Sequence, residues 1–336
     1  MSFLLTGISS LALCAQQLPP IEPPLPVPGS DAPKTDLNAI TVKSTVVVVP
    51  TLVAKKDGTV LYGLKPQDFI VEDNGRPQQI RVDEDLDTAP VSVVVAVEQG
   101  RMSILQFQKF AHLGALLDLL IGDGRGEAAL VTFDSIPHLA TDFSADTEPV
   151  KRYLANLQPG DGGAAIYDTV GYATQLLAER PSSHRRVLLL VSEERDHGSR
   201  HYHADQLIKK IGLSDVLVLS VCYSASRTEL IHDSTTQVDA GRAMNLMSPL
   251  VMAINAMKKN AARQIAVLSG GEFTRFTREK GFDDDVARLS MHARNRYLLS
   301  FQPTDPTPGL HSIRVKLAED YGAKIVARTS YWAAER

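Results

Sequence analysis

The stretch "VVVAVEQGRMS", Val93 to Ser103, decides the fold predicted for this chain. Its apolar start is typical of a strand buried on both faces of a sheet, and its end is a polar turn. The following residues, 104–121, place their large apolar side chains on one helical stripe. A buried strand, a polar corner and a helix together form the repeating unit of a parallel α/β sheet.

The same alternation continues through residues 90–292. Further buried strands are predicted at "EAALVTF" (127–133), "RVLLLVS" (186–192) and "DVLVLSVC" (215–222), with helical patterns between them. The stretch 248–271 predicts one long helix that ends at two glycines. Repeated βα units of this length predict an α/β domain with a doubly wound, Rossmann-like parallel sheet.

Both ends of the chain have strand patterns instead. Residues 41–89 contain a hairpin signal at Asn74-Gly75, and residues 293–336 contain the alternating stretch "HSIRVKL" and the strand pattern "KIVARTSYW" (324–332). Each end alone is too small to bury a stable core. We therefore predict one β-sandwich formed by both chain ends, with the α/β domain inserted between them.

The first residues predict export. Residues 1–15 have the apolar core of a signal peptide, although no Lys or Arg precedes Leu4. A lipoprotein signal, in which Leu13 is bulkier than expected, and a buried or frayed N-terminus are the alternatives. Residues 16–40 are rich in proline and predict an extended linker. Cleavage of the signal peptide would leave the mature chain in the periplasm or outside the cell. No other apolar run is long enough to span a bilayer, so the mature chain is expected to be soluble.

Composition narrows the function. The chain has 336 residues, 44% of them hydrophobic, which suits a globular protein with a substantial core. Its net charge of −4 gives no basic footprint for nucleic acid. The two cysteines, Cys14 and Cys222, form neither a disulfide framework nor a zinc spacing.

Five stretches carry a family resemblance: "GLKPQDFIVEDNGRPQQI" (63–80), "GGAAIYDTV" (162–170), "RRVLLLVSEERDHGSR" (185–200), "RYLLSFQP" (296–303) and the closing "ARTSYW" (327–332). In this order the chain resembles the VWFA-related exported proteins of soil bacteria. Its middle region is similar to a von Willebrand factor A domain. The resemblance implies an interaction module whose usual feature is Mg²⁺ or Mn²⁺ at a metal-ion-dependent adhesion site.

This chain departs from the ligand pattern of that site. The resemblance places the ligand positions on Val97, Gln99, Arg101, Ala164 and Glu193. Hard divalent cations prefer oxygen ligands, and neither Val97 nor Ala164 has a side-chain oxygen. Shifting the alignment by one residue brings Glu98 to the first position but moves Gly100 off the pattern, so we disfavour it. No metal or other cofactor is expected.

Arg101 suggests a replacement for the ion. A guanidinium at this corner is able to neutralise Glu98, Glu193 or Asp168 through charge-assisted hydrogen bonds. The alternatives are that Arg101 points into solvent, or that it receives a carboxylate of a partner.

Two other polar features lie in predicted loops. His197, His201 and His203 suit either a zinc site or a solvated polar loop, and their position in a loop favours the second. The polar insertion 224–248 is predicted to lie at the same rim of the sheet.

We therefore predict a non-enzymatic protein-binding or adhesion-type module of the cell envelope or exterior. It binds a protein partner at the C-terminal rim of the parallel sheet, without a metal. The alternatives are a structural envelope protein and, less favoured, a hydrolase whose site is not visible in sequence. The residues predicted for the binding corner and rim are Val97, Glu98, Gln99, Arg101, Ser103, Ala164, Asp168, Glu193 and Asp196.

Overall fold

The computed structural model describes residues 46–83, 89–100, 113–114, 117–121, 125–223, 248–276, 279–305 and 307–335. The predicted signal peptide and linker, Arg101, Ser103 and nearly all of the insertion lie outside the described residues. The described residues belong to one compact unit. No helix in this part of the chain is long and apolar enough to cross a membrane.

The elements follow one another in chain order. The strands are β1 (Val47–Lys55), β2 (Phe69–Asp73), β3 (Arg76–Pro77), β4 (Ile80–Asp83), β5 (Val91–Glu98), β6 (Glu127–Phe133), β7 (Pro137–Ser144), β8 (Arg185–Ser192), β9 (Leu217–Tyr223), β10 (Phe273–Phe276), β11 (Tyr297–Phe301), β12 (Gly309–Leu317), β13 (Ala323–Ala327) and β14 (Ser330–Ala333). The helices with complete bounds are α1 (Glu148–Ala155), α2 (Ile166–Ala178), α3 (Ala204–Leu213), α4 (Pro249–Lys259), α5 (Ala261–Ser269) and α6 (Glu279–Arg294).

The middle of the chain forms a six-stranded sheet in the order β10-β9-β8-β5-β6-β7. Its strands pair in parallel except for β7, which joins the edge antiparallel to β6. Every residue of β5 and β9 is buried, because helices cover both faces of the sheet. The predicted doubly wound α/β class is confirmed. The strand order reverses between β5 and β8, which in such sheets opens a crevice at the carboxyl ends of the strands.

Both chain ends form antiparallel sheets, with the orders β13-β1-β11-β4 and β14-β12-β2-β3. Side chains from the two sheets share one core cluster, with Val49 and Leu299 from the first and Phe69 and Tyr331 from the second. The β-sandwich itself stays a prediction, because it concerns the packing geometry of the two sheets. The strand pattern predicted over 324–332 is two strands, since the chain passes from one sheet to the other between Ala327 and Ser330.

The single long helix predicted for residues 248–271 is wrong. The helix is interrupted at Asn260, whose backbone is extended (φ −151°, ψ 98°), and the segment forms two helices, α4 and α5. The Asn260 side chain accepts a hydrogen bond from the backbone N–H of Arg263, which makes it the N-cap of α5. Helix α5 ends as predicted at Gly270, in the left-handed conformation (φ 86°).

Two buried arginines connect the antiparallel strands to the α/β part. Arg296 donates to the carbonyl of Gly270 at 2.6 Å and to the carboxylate of Glu272 at 3.1 Å. Arg328 donates to the carbonyl of Gly212 at 2.6 Å, at the end of α3. Cations at helix C-termini are favourable because the free carbonyls there carry partial negative charge. These contacts join the parts of the chain through polar bonds as well as apolar packing.

Candidate functional site

The switch point between β5 and β8 carries the predicted binding corner. Strand β5 ends at Glu98 and β8 at Ser192, and the next residues form the upper rim of the sheet. We call residues 193–203 the rim loop. It connects β8 to α3 and packs against the start of α2.

Glu98 supplies a carboxyl group at this corner. Its side chain is 1% exposed and accepts a hydrogen bond from the backbone N–H of Glu193 at 2.8 Å. Burial raises the pKa of Glu98 to about 7, although its hydrogen bonds with the Tyr223 hydroxyl and with that N–H act in the opposite direction. Val97, at the predicted ligand position, is fully buried in the core on one face of the sheet. The carboxyl group next to the rim loop therefore belongs to Glu98, and it is tied to the protein backbone.

The two residues after Glu98, Gln99 and Gly100, lie close to neighbouring loops and to the Glu98 carboxyl. The side-chain amide of Gln99 donates to the carbonyl of Gln158 at 2.8 Å, so this predicted ligand is bonded to a neighbouring loop. A Cβ on Gly100 would lie 2.5 Å from a carboxyl oxygen of Glu98 and 3.0 Å from the carbonyl of Gly163. A larger residue here would require the buried Glu98 carboxyl to move and would lie tightly against the carbonyl of Gly163. This constraint is visible in the sequence only as a single glycine.

Ala164 contributes its backbone to the corner. It forms an isolated antiparallel bridge with His197, with N···O distances of 3.0 and 3.4 Å. Gly198 allows this approach, since a Cβ there would lie 3.2 to 3.3 Å from the backbone nitrogens of Ala165 and Ala164. The resemblance assigns a ligand Thr to this position. In this chain the position is Ala164, and its backbone holds the rim loop in place.

Asp168 organises the rim loop from the first turn of α2. Its carboxylate accepts backbone N–H groups of Arg200 (2.8 Å), His201 (3.0 Å) and Tyr202 (2.7 Å), and it also contacts the His201 imidazole. Burial alone would raise the pKa of Asp168, but these hydrogen bonds outweigh it and lower the pKa. Asp168 is thus a structural anion whose acceptor capacity is used inside the loop.

We expect Asp168→Asn to loosen the rim loop. The amide places a donor against backbone donors, and an unsatisfied buried group costs roughly 1–3 kcal/mol. Amide hydrogen exchange at Arg200, His201 and Tyr202 should accelerate, and the free energy of unfolding should fall by about 2 kcal/mol. The control is Asp284→Asn on α6, an exposed aspartate. Unchanged protection of the three amides would contradict the role given to Asp168.

Glu193 and Asp196 complete the predicted set. Glu193 pairs with the imidazole of His197, and burial raises its pKa. Asp196 accepts the backbone N–H of Tyr167 at 3.0 Å and the hydroxyl of Ser199 at 2.5 Å, and burial raises its pKa as well. Both carboxyl groups have partners within the corner.

Sequence reasoning missed Glu194. Its carboxylate pairs with Arg275 on β10 and accepts from the side chain of Asn260 at 2.7 Å. Its carbonyl also accepts the backbone N–H of Ala261 at 2.8 Å. Glu194 thereby fixes the rim loop to the start of α5. No local pattern in the sequence indicates this role, because Asn260 and Arg275 are 66 and 81 residues away from Glu194.

The donor set does not fit the hard divalent cation that the resemblance implies. Ala164 and Val97 have no side-chain oxygen, and one oxygen of Glu98 already accepts a backbone N–H. No three His, Cys, Asp or Glu side chains within the described ranges are grouped as metal ligands. The histidines of the zinc alternative contact different groups: His197 pairs with Glu193, and His201 with Asp168. We derive no chemistry through a metal at this corner.

Arg101 and Ser103 lie outside the described residues, so the replacement of the ion by Arg101 stays a prediction. Two of its suggested partners, Glu98 and Glu193, lie together, since the backbone N–H of Glu193 donates to the Glu98 carboxyl. The third suggested partner, Asp168, already accepts from three backbone amides and the His201 imidazole.

Several of the solved structures similar to this chain are described as von Willebrand factor or von Willebrand factor type A domains. The conserved hypothetical protein BatB from Bacteroides thetaiotaomicron is 16% identical, with a TM-score of 0.42, covering 61% of this chain and 99% of that one. A von Willebrand factor type A protein from Catenulispora acidiphila is 9% identical, with a TM-score of 0.47, covering 87% of this chain and 74% of that one. The von Willebrand domain of the type V pili tip protein Mfa5 from Porphyromonas gingivalis is 22% identical, with a TM-score of 0.29, covering 32% and 39%.

The TM-scores of these neighbours are all below 0.5. No family model and no curated protein matches the chain. Identities below 25% concern the fold alone, so function is argued from this chain's own residues.

Proposed function

We propose that this chain is an exported, non-enzymatic protein-binding module that engages its partner with the C-terminal rim of the parallel sheet and without a metal ion. One observation carries the proposal. The rim loop is held by side chains where a cation-binding corner would need open oxygen ligands, with Asp168 accepting three backbone amides and Glu98 a fourth. A rigid loop at the crevice of an open α/β sheet is a suitable surface for a partner.

The arrangement favours binding over catalysis. The carboxyl groups of Glu98, Asp168 and Asp196 accept hydrogen bonds from the protein's own backbone. Groups used in this way stabilise the structure of the loop. We therefore assign the corner a positioning role for the surface above it.

Site-specific photo-crosslinking tests the proposal. Benzoylphenylalanine is introduced at Ile136 or His203 on the rim, and at Ser182 or Lys324 as exposed controls away from it. The full chain is then incubated with an envelope extract of the organism that encodes it, with and without EDTA. We expect the rim positions to crosslink one partner to the same extent in both conditions. Crosslinking abolished by EDTA, or equal crosslinking from the control positions, would reject the proposal.

A further inference from the structure

The rim loop separates its charges between its two faces. In the sequence it reads as the mixed-charge stretch "EERDHGSRHYH". In the structure its acidic side chains have partners within the protein: Glu193 pairs with His197, Glu194 with Arg275, and Asp196 with the backbone of α2. The acidic character of the loop is therefore directed inward.

The basic side chains of the same loop are directed outward. Arg195, Arg200 and His203 are exposed, and the side chains of His197 and His201 are 52% and 79% exposed. Within the described part of the chain, neither Arg195 nor Arg200 forms an ion pair. Both guanidinium groups therefore keep their donors for another molecule, and a guanidinium is charged at any physiological pH.

The neighbouring acidic residues do not cancel this surface through ion pairs. Asp161 accepts the backbone N–H groups of Gly163 and Ser135, and Asp134 accepts those of Ile136 and Asp161. Hydrogen bonds from that backbone lower the pKa of Asp161, and the charge of Arg200 contributes to a smaller extent. The acidic side chains of Asp134 and Asp161 therefore lie beside the basic surface without forming ion pairs with it. Asp205, in the first turn of α3, is also exposed.

The basic surface is preorganised. Its backbone is fixed by Asp168 beneath Arg200, by the Ala164–His197 bridge, and by the contact of Glu194 with α5. Gly171 on α2 lies against the ring of Tyr202, where a Cβ would approach to 2.4 Å. A rigid loop loses little conformational entropy when a partner binds, so a few charged groups are enough to select that partner.

We infer that the rim loop receives the carboxylates of an acidic protein segment directly on the guanidinium groups of Arg195 and Arg200. This inference rests on the proposed function and names the chemistry of its partner. Guanidinium–carboxylate hydrogen bonds are charge-assisted and geometrically specific. A phosphate backbone is the other polyanion that such a surface meets. The chain as a whole carries a net charge of −4, which disfavours long tracts of nucleic acid.

Fluorescence anisotropy with labelled hexaglutamate tests the inference on the full chain. We expect saturable binding that weakens at least tenfold between about 20 and 200 mM salt, because several exposed charges are involved. The double variant Arg195→Glu/Arg200→Glu should lose at least tenfold in affinity. The matched control, Arg314→Glu/Lys324→Glu, changes the net charge equally on exposed positions of β12 and β13 and should bind as the unaltered chain does. Far-UV circular dichroism verifies that both variants fold.

Three results would overturn the inference: no saturable binding of hexaglutamate, equal weakening in the control variant, or tighter binding of a hexathymidylate of the same length. Failure here is distinguishable from failure of the proposed function. If hexaglutamate does not bind but Ile136 and His203 still crosslink a partner, the partner's acidic chemistry is wrong and the rim remains the binding surface. If the rim crosslinks nothing, the proposed function itself fails.

Discussion

Arg296→Met should lower the free energy of unfolding by about 3–5 kcal/mol, the range found when one partner of a buried ion pair is removed. The Arg296 side chain is 2% exposed and bonds to Gly270 and Glu272. Burial lowers the pKa of Arg296 to about 10, so the guanidinium is still charged near neutral pH. Methionine fills a similar volume but leaves the carbonyl of Gly270 without this donor.

The loss is amplified by Glu272. Burial alone would raise the pKa of this carboxyl, but the hydrogen bond from His292 and the charge of Arg296 outweigh it and lower the pKa. His292 bonds to Glu272 at 3.0 Å and to the carbonyl of Gly58 at 3.0 Å, which links the cluster to the first β segment. Without Arg296, Glu272 retains a smaller set of partners while remaining buried.

Urea unfolding followed by circular dichroism measures this effect. Arg314→Met is the control, since Arg314 is exposed on β12, and it should change the free energy of unfolding by less than about 0.5 kcal/mol. Arg296→Lys should fall between the two, because lysine keeps the charge but lacks the planar fork. A loss below about 1 kcal/mol for Arg296→Met would mean that the cluster is not a strong connection.

The fold was largely predictable because the spacing of apolar residues is a local pattern, which the sequence shows directly. The run of five apolar residues in β5, Val93–Val97, required helices on both faces, and the alternating run of β12 required one buried face. The errors occurred where a single residue decides the geometry. Asn260 divides one apparent helix into two, and Arg328 lies where one apparent strand becomes two strands of different sheets.

The site was less predictable because its contacts join residues distant in sequence. The motifs of the resembled family predict that the binding corner lies at the carboxyl ends of β5 and β8. They do not show that the carboxyl of Glu98 is bonded to the backbone at Glu193, 95 residues later. They also do not show which side chains of the rim loop face inward. That separation depends on the amide donors that surround Asp168 and Asp196, and their positions follow only from the folded backbone.

The second large effect is expected at Glu98, whose burial should make the stability of the protein depend on pH. The folded state raises the pKa of Glu98 from 4.5 to about 7 because the carboxyl is buried. The folded protein therefore holds a proton that the unfolded chain releases. The resulting stabilisation is fully present below about pH 4.5 and is lost as the pH rises through about 7. The full difference corresponds to about 3 kcal/mol.

We expect Glu98→Gln to remove this dependence, since glutamine cannot ionise yet keeps an oxygen that accepts the N–H of Glu193. Between about pH 5 and 8, the free energy of unfolding of the variant should rise relative to the unaltered chain by about 2–3 kcal/mol. Urea unfolding at several pH values measures it, with Glu179→Gln, an exposed carboxyl at the end of α2, as the control. Asp196, whose pKa burial also raises, is present in both proteins and cancels in the comparison. The charge of Glu193 contributes to the raised pKa of Glu98, so the measured difference includes the coupling between these two carboxyls. Parallel pH profiles for Glu98→Gln and the unaltered chain would show that Glu98 is ionised in the folded protein throughout this range, and the buried, protonated corner would have to be abandoned.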